Sequence, residues 1–276
     1  MSEYEVMHHI DCRKGDVGRY VLLPGDPGRC ALIAEHFDDA EFIAQKREYV
    51  TYTGTLLGEK VSVTSTGIGC PSTAIAVEEL VAIGADTLIR VGTSGGIQPG
   101  MRTGDLAILT AAIRDEGTSS QYMPLAYPAV ADVDVVVALR EAARRRGARY
   151  HVGVGQSKDS FYGEVEPQRM PLADELKQRW HAWVAGGALC SEMEASTLFV
   201  VSKVLNVRAG GIMLIGGLTV DWWALDLLSE QEREAVLADL RARESGRGPE
   251  LLNELVATAV EGLRVLITED RKQAGR

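Results

Sequence analysis

The sequence predicts an α/β fold with a largely parallel sheet. Short apolar, β-branched runs alternate with segments of helical spacing along most of the chain, the pattern of strands covered by helices. The 276 residues are 46% hydrophobic, enough to bury a sizeable core. The 29 glycines against 9 prolines fit many short strand-to-helix turns better than a disordered or proline-rich chain.

Taken in order, Tyr20–Leu23 reads as a buried strand that ends in Pro24-Gly25-Asp26-Pro27, with helical character from Arg29 to Phe37. Tyr49–Leu57 and Val61–Ser65 flank Gly58-Glu59-Lys60 and read as a hairpin. The glycine-rich turn Gly67–Ser72 leads into a helix that Ser72 is placed to cap and Gly84 to terminate. Thr87–Val91, Leu106–Leu109, Tyr150–Val154 and Arg208–Ile215 read as strands; Val133–Arg146 and Ala195–Leu205 read as helices. Ser229-Glu230-Gln231-Glu232 matches a capping box opening a charged helix through about Arg243. Apolar residues from Leu251 to Ile267 then repeat at helical spacing, so a last helix packs on the core. With no internal repeat and no linker, residues 1–276 read as a single domain.

Net charge is −10 and no basic stripe interrupts it, which argues against a nucleic-acid partner. Arg144, Arg145 and Arg146 follow an apolar helical stretch and read as a solvated helix face. The four cysteines form no CxxC pair, so zinc and redox readings are weak and a reduced, cytoplasmic chain with buried thiols is the simplest account. Met1–Asp16 lacks the apolar centre of a signal peptide, and no apolar run reaches bilayer length.

Three glycine-bearing turns can carry chemistry. Gly25 follows a strand and precedes a helix start, with Arg29 one turn on: backbone N–H groups, a helix dipole and a bidentate donor together suit an anion. The alternative is an ordinary strand–helix turn. Gly67–Ser72, with Asp86 further on, has the distance of a dinucleotide fingerprint, but Ser72 stands where its third glycine belongs. In the third, the strand ending Ile89-Arg90-Val91 delivers an arginine, then Gly92-Thr93-Ser94-Gly95 offers hydroxyls and small residues whose amides can face an oxyanion. Two arginine-plus-glycine turns suggest one phosphate held between them. Glu192 and Glu194 flank Met193 before a helix; they either solvate its start or, beside a phosphate site, accept hydrogen bonds from ribose hydroxyls.

Leu23–Pro27, Ser65–Ser72 with Val77–Leu80, Ile89–Gly95 and Glu192–Glu194 together resemble nucleoside phosphorylase family I, most closely its uridine phosphorylase branch. The resemblance covers roughly Glu5 to Ile215; residues 216–276 diverge. It implies a three-layer α/β/α fold whose central mixed sheet curls into a partial barrel. It implies phosphorolysis of a pyrimidine nucleoside to base and (deoxy)ribose 1-phosphate through an oxocarbenium-like transition state. Phosphate is then both nucleophile and cosubstrate, with no metal or organic cofactor. It implies phosphate on Gly25, Arg29, Arg47, Arg90 and Thr93, and ribose on His9, Glu192, Met193 and Glu194, with Arg90 and Glu194 catalytic. His9, with His8 as the alternative, would come from the partner of a dimer, the active unit of a hexamer. The base would meet Ser94, Gly95, Phe161, Glu164, Gln168 and Arg169, and a monovalent cation (K+) would fall on Glu48, Ile68 and Ser72.

Two departures bear on the base. Related sequences have glutamine where Glu164 stands, and an ionised carboxylate cannot donate to uracil O4; Gln168 and Arg169 would take over, or Glu164 is a loop charge. After Ile215 the chain reads Gly216–Trp223, where Trp222 and Trp223 either cover an enlarged base pocket or anchor the next helix, and Asp221 is a candidate proton donor to a purine. A purine nucleoside phosphorylase on the same scaffold and a noncatalytic nucleoside-binding protein are the alternatives. A nucleosidase fits less well, since water needs no cradle of three arginines.

Overall fold

A computed structural model describes residues 6–218, 229–231, 234–235, 238 and 248–275. The strands are β1 (Tyr20–Leu23), β2 (Asp38–Lys46), β3 (Tyr49–Leu56), β4 (Glu59–Thr64), β5 (Thr87–Gly96), β6 (Leu106–Asp115), β7 (Ala129–Val130), β8 (Tyr150–Lys158), β9 (Cys190–Glu192) and β10 (Arg208–Leu218). The helices are α1 (Gly28–Ala34), α2 (Cys70–Ala82), α3 (Val133–Arg146), α4 (Phe161–Val165), α5 (Ala173–Ala185), α6 (Ala195–Val204) and α7 (Gly248–Ala274). Trp222, Trp223, Asp221 and most of the helix expected from Ser229 to Arg243 lie outside the described residues. Among the described residues, no helix is long and apolar enough to cross a membrane.

The strands form one mixed sheet, not a largely parallel one. β1 runs parallel to β4 and β5, and β10 parallel to β5, but β10 meets β6, and β5 meets β9, antiparallel. Because β8 also pairs with both β6 and β9, the circuit β5–β10–β6–β8–β9 closes on itself as a barrel. The β2–β3–β4 hairpins extend the sheet away from it.

Side-chain alternation splits the core into two layers, as a sheet covered on both faces requires. Val21, Leu23, Leu88, Ala107, Leu109, Met213 and Ile215 pack with α2 and α6. Tyr20, Leu22, Ile89, Leu106, Ile108, Ile212 and Leu214 pack with α1, α3 and α7. Helices on both faces of a mixed sheet make the three-layer architecture. The arginine run on α3 is not merely solvated: Arg145 pairs with Glu261 at 3.2 Å and Arg146 with Glu254 at 2.9 Å, tying α3 to α7.

Two local expectations change. Gly69, at φ +99°, is the N-cap of α2; Ser72 sits inside the first turn, its hydroxyl donating to the Ile68 and Gly69 carbonyls at 3.2 Å. A non-glycine residue would be strained at that φ, so the glycine lets the chain turn sharply into the helix. Asp86 precedes β5 at the end of the strand opposite Gly96 and pairs with Arg19 at 2.9 Å, so it is no ribose acid of a dinucleotide site.

Candidate active site

Parallel neighbours end on the same side of a sheet, and ligands of open α/β sheets bind there. In register, Leu23 lies beside Arg90 and Ile212 beside Val91. The loops after β1, β4 and β5 therefore meet at one edge. They border an open cavity of about 820 Å³, lined among others by Gly25, Arg29, Glu48, Ile68, Arg90, Thr93, Ser94, Gly95, Phe161, Glu164, Glu192, Met193 and Glu194. That volume suits a small-molecule ligand.

The floor is cationic. Arg29 reaches to within 3.4 Å of Thr93 Oγ1 and 3.8 Å of Asp26. Burial pushes the Arg29 guanidinium down from its ordinary value and the charge of Arg90 adds to this, while Asp26 opposes it. Arg29 and Arg90 both line this floor, an arrangement that suits an anion. Among the described residues, Arg90 Nη1 is buried with no hydrogen-bond partner. A Cβ on Gly25 would lie 3.9 Å from that nitrogen and crowd the Gly67 carbonyl at 3.2 Å, so the glycine keeps space open beside Nη1.

The glutamates are not a solvated helix start. Glu192 and Glu194 side chains are 1% and 4% exposed, and both hold Arg90, Glu192 through Nε at 2.7 Å and Glu194 through Nη2. Glu192 also accepts from the Glu194 and Ala195 backbone N–H groups and from the Ser157 hydroxyl. This fixes the short β9 strand to the start of α6. Burial works against the charge of Arg90, but Glu194 and Glu192 outweigh it and raise its affinity for the proton. Burial and the nearby Glu192 push the Glu194 carboxyl up, against the pull of Arg90 and of the Gly69 N–H, which donates to it at 2.6 Å.

The third wall holds a group that the sequence reading left out. Lys158, at the end of β8, lies 3.0 Å from Glu164 Oε1 and donates to Ser191 Oγ, whose hydroxyl also lies 2.7 Å from Glu164 Oε2. Glu164 is therefore a buried, paired carboxylate on α4 and not a loop charge. Burial pushes its carboxyl up, and Lys158 and Ser191 pull it back. Behind the pair lies a second cavity of about 160 Å³, reached by Asp115, Gln156, Arg179 and Trp180. The available signal was the polar run Gln156-Ser157-Lys158 continuing an apolar strand, and Leu176, Trp180 and Trp183 at helical spacing.

Four expected residues stand apart from the cavity of their own chain. Gln168 is exposed, and Arg169 is exposed and paired with Glu166 beside the Tyr162 ring, so neither lines the cavity of its own chain. Arg47 is exposed in the turn between β2 and β3 with φ +54°. His9 is bound through Nδ1 to Glu79 at 2.6 Å, and Glu79 also accepts from the His9 and Ile10 N–H groups; His8 is exposed beside it. Glu48, Ile68 and Ser72 cluster: a Cβ on Gly67 would lie 2.7 Å from Glu48 Cγ and 3.5 Å from Ser72 Oγ.

A floor of two arginines beside two buried carboxylates, at the strand ends of a mixed barrel sheet, has the donors and acceptors to suit a small anionic and hydroxyl-bearing ligand. Residues 19–245 match the phosphorylase superfamily, and the chain belongs to it. It is 46% identical over 263 residues to a uridine phosphorylase of Treponema pallidum, covering 95% of each chain. It is 41% identical over 209 residues to a guanosine phosphorylase of Halorubrum lacusprofundi, covering 76% of this chain and 82% of that one. The crystal structure of uridine phosphorylase from Vibrio fischeri superimposes with a TM-score of 0.76 at 30% identity, covering 97% of this chain and 100% of that one.

Proposed function

We propose that the protein is a pentosyltransferase that cleaves a uridine-like nucleoside with inorganic phosphate. One observation carries this reading: Arg29, Arg90 and Thr93 share a cavity with the Glu192-Met193-Glu194 segment, which offers cationic donors for an oxyanion and carboxylates for a ribose in one space. Phosphate between the guanidinium groups attacks C1′ as the bond to the base breaks. Its negative charge stabilises the oxocarbenium-like sugar, so no protein nucleophile is needed. Glu194 accepts from ribose hydroxyls and fixes the sugar over the phosphate.

His9 and Arg47 support a dimer as the active unit, since they serve the site only if a second copy supplies them. A hexamer and a cytoplasmic role in pyrimidine salvage belong to the same reading. Glu48, Ile68 and Ser72 offer carboxylate, carbonyl and hydroxyl oxygens, donors that suit a hard monovalent cation such as K+. Uridine with and without phosphate tests the reaction. Uracil and ribose 1-phosphate are expected to form only with phosphate, and full-rate cleavage without it would make the protein a hydrolase.

A further inference from the structure

Lys158 and Glu164 stand where the substrate cavity meets the smaller one behind it, and neither phosphate nor ribose chemistry uses them. Both side chains are 9% exposed and lie 3.0 Å apart. An ammonium only donates and a carboxylate only accepts. A glutamine at the position of Glu164 would carry both functions and could turn either way round; a charged pair cannot. We propose that the Lys158–Glu164 pair reads the base and holds its charge as it leaves: Lys158 donates to a ring carbonyl, and Glu164 accepts from the ring N–H beside it.

This rests on the phosphorolysis proposed above. The base so read carries a lactam edge, a carbonyl next to an N–H, as uracil does. Cytosine presents a ring lone pair where the N–H should be, which would face the carboxylate. In the reaction a phosphate oxygen forms a bond to C1′ while the C1′–N bond breaks, and its electron pair passes to the base. The base departs as an anion with charge shared onto its carbonyl oxygens. The ammonium of Lys158 meets that charge as it grows, so its contribution rises toward the transition state. Ser191, whose hydroxyl donates to Glu164 Oε2 at 2.7 Å and accepts from Lys158, keeps the pair from turning away.

Two substitutions test the pair against substrates that differ at the base alone. The wild type is expected to favour uridine over cytidine by about 100-fold or more in kcat/KM. Glu164→Gln should narrow that preference by about tenfold or more, because an amide can face either edge. Lys158→Met should slow uridine about tenfold more than 5-fluorouridine, whose base is the more stable anion and needs less help. An unchanged uridine-to-cytidine ratio in Glu164→Gln, or equal losses on the two uridines in Lys158→Met, overturns the proposal while phosphorolysis stands. If Lys158→Met does not fold, the Glu164→Gln ratio decides alone. Should the wild type fail to consume uridine, or consume it equally without phosphate, the phosphorylase reading falls and the pair's role with it.

Discussion

Arg90 separates two carboxylates that burial would otherwise force to compete for one proton. Its Nε and Nη2 hold Glu192 and Glu194, and its Nη1, near Gly25, has no partner among the described residues. Lysine gathers its three donors on one nitrogen and cannot reach all the positions that Arg90 serves from three separate nitrogens. Arg90→Lys should therefore fold but lose about 100- to 1000-fold in kcat/KM, read from phosphate-dependent uridine cleavage. Arg90→Ala should abolish turnover and also destabilise the fold by about 3–5 kcal/mol, because two buried carboxylates lose their partner; wild-type-like rates would contradict the role. Arg29, Arg90, Thr93 and the glutamate pair were legible because each sits in or beside a turn whose residue types announce an anion or hydroxyl partner. Lys158 and Ser191 were not, because their meaning comes from each other and from Glu164, residues brought together only when β8 and β9 pair. Gln168 and Arg169, expected beside the base, are exposed outside the cavity: nearness in sequence to Phe161 says nothing about where the turn after α4 carries them.

Strand extents show what hydrophobic periodicity can and cannot detect. The apolar parts of β5, β6, β8 and β10 were read correctly, yet each strand runs several residues further. The extensions of β5, β8 and β10 are polar or glycine-rich, and that of β6 is small-residue and mixed, because they leave the helix layers and close the barrel around the site. Register shifts at Leu109/Ala111 and Ile215/Gly217 mark where β6 and β10 bend. β2 was missed because most of its residues are exposed and no apolar run betrays it. The far end of the sheet is locked differently, by α7: Asp270 accepts from Arg208 Nη1 and Nη2 at 2.9 and 2.6 Å and from the Tyr20 hydroxyl at 2.6 Å. Burial and the Asp270 bond push the Tyr20 phenol up to about 12. Burial alone would raise the Asp270 carboxyl, but the bonds from Arg208 and Tyr20 outweigh it and hold the group below its ordinary value. A carboxyl whose pKa falls on folding contributes stability that is present above its unfolded value, about 3.9, and is lost as pH drops through the lower folded value. Asp270→Asn is thus expected to cost about 2 kcal/mol in urea unfolding at pH 7. The gap to wild type should shrink below about pH 4; a gap that stays constant to pH 3 would rule out the ionic part of this lock.

At the scale of the whole molecule, barrel closure gathers most of the site into one chain but leaves one side of the cavity open, where Glu48 and the 80% exposed Ile68 form the rim. Arg47 adjoins Glu48 without lining the cavity, on a left-handed backbone that costs about 1 kcal/mol. His9 is held on its own surface by Glu79, leaving Nε2 for another partner. If a second copy completes the site, Arg47 and Arg90 of one chain serve different cavities. Arg47→Ala and Arg90→Ala proteins should then each be nearly inactive alone. Unfolded together in equal amounts and refolded, half of the dimers would pair one chain of each kind. Each mixed dimer would contain one cavity with both arginines intact and one with neither. Roughly a quarter of wild-type activity should return, from proteins that show almost none separately. A mixture as inactive as its components, with mixed dimers demonstrated by two different tags, would mean that each chain works alone and that Arg47 acts, if at all, within its own subunit.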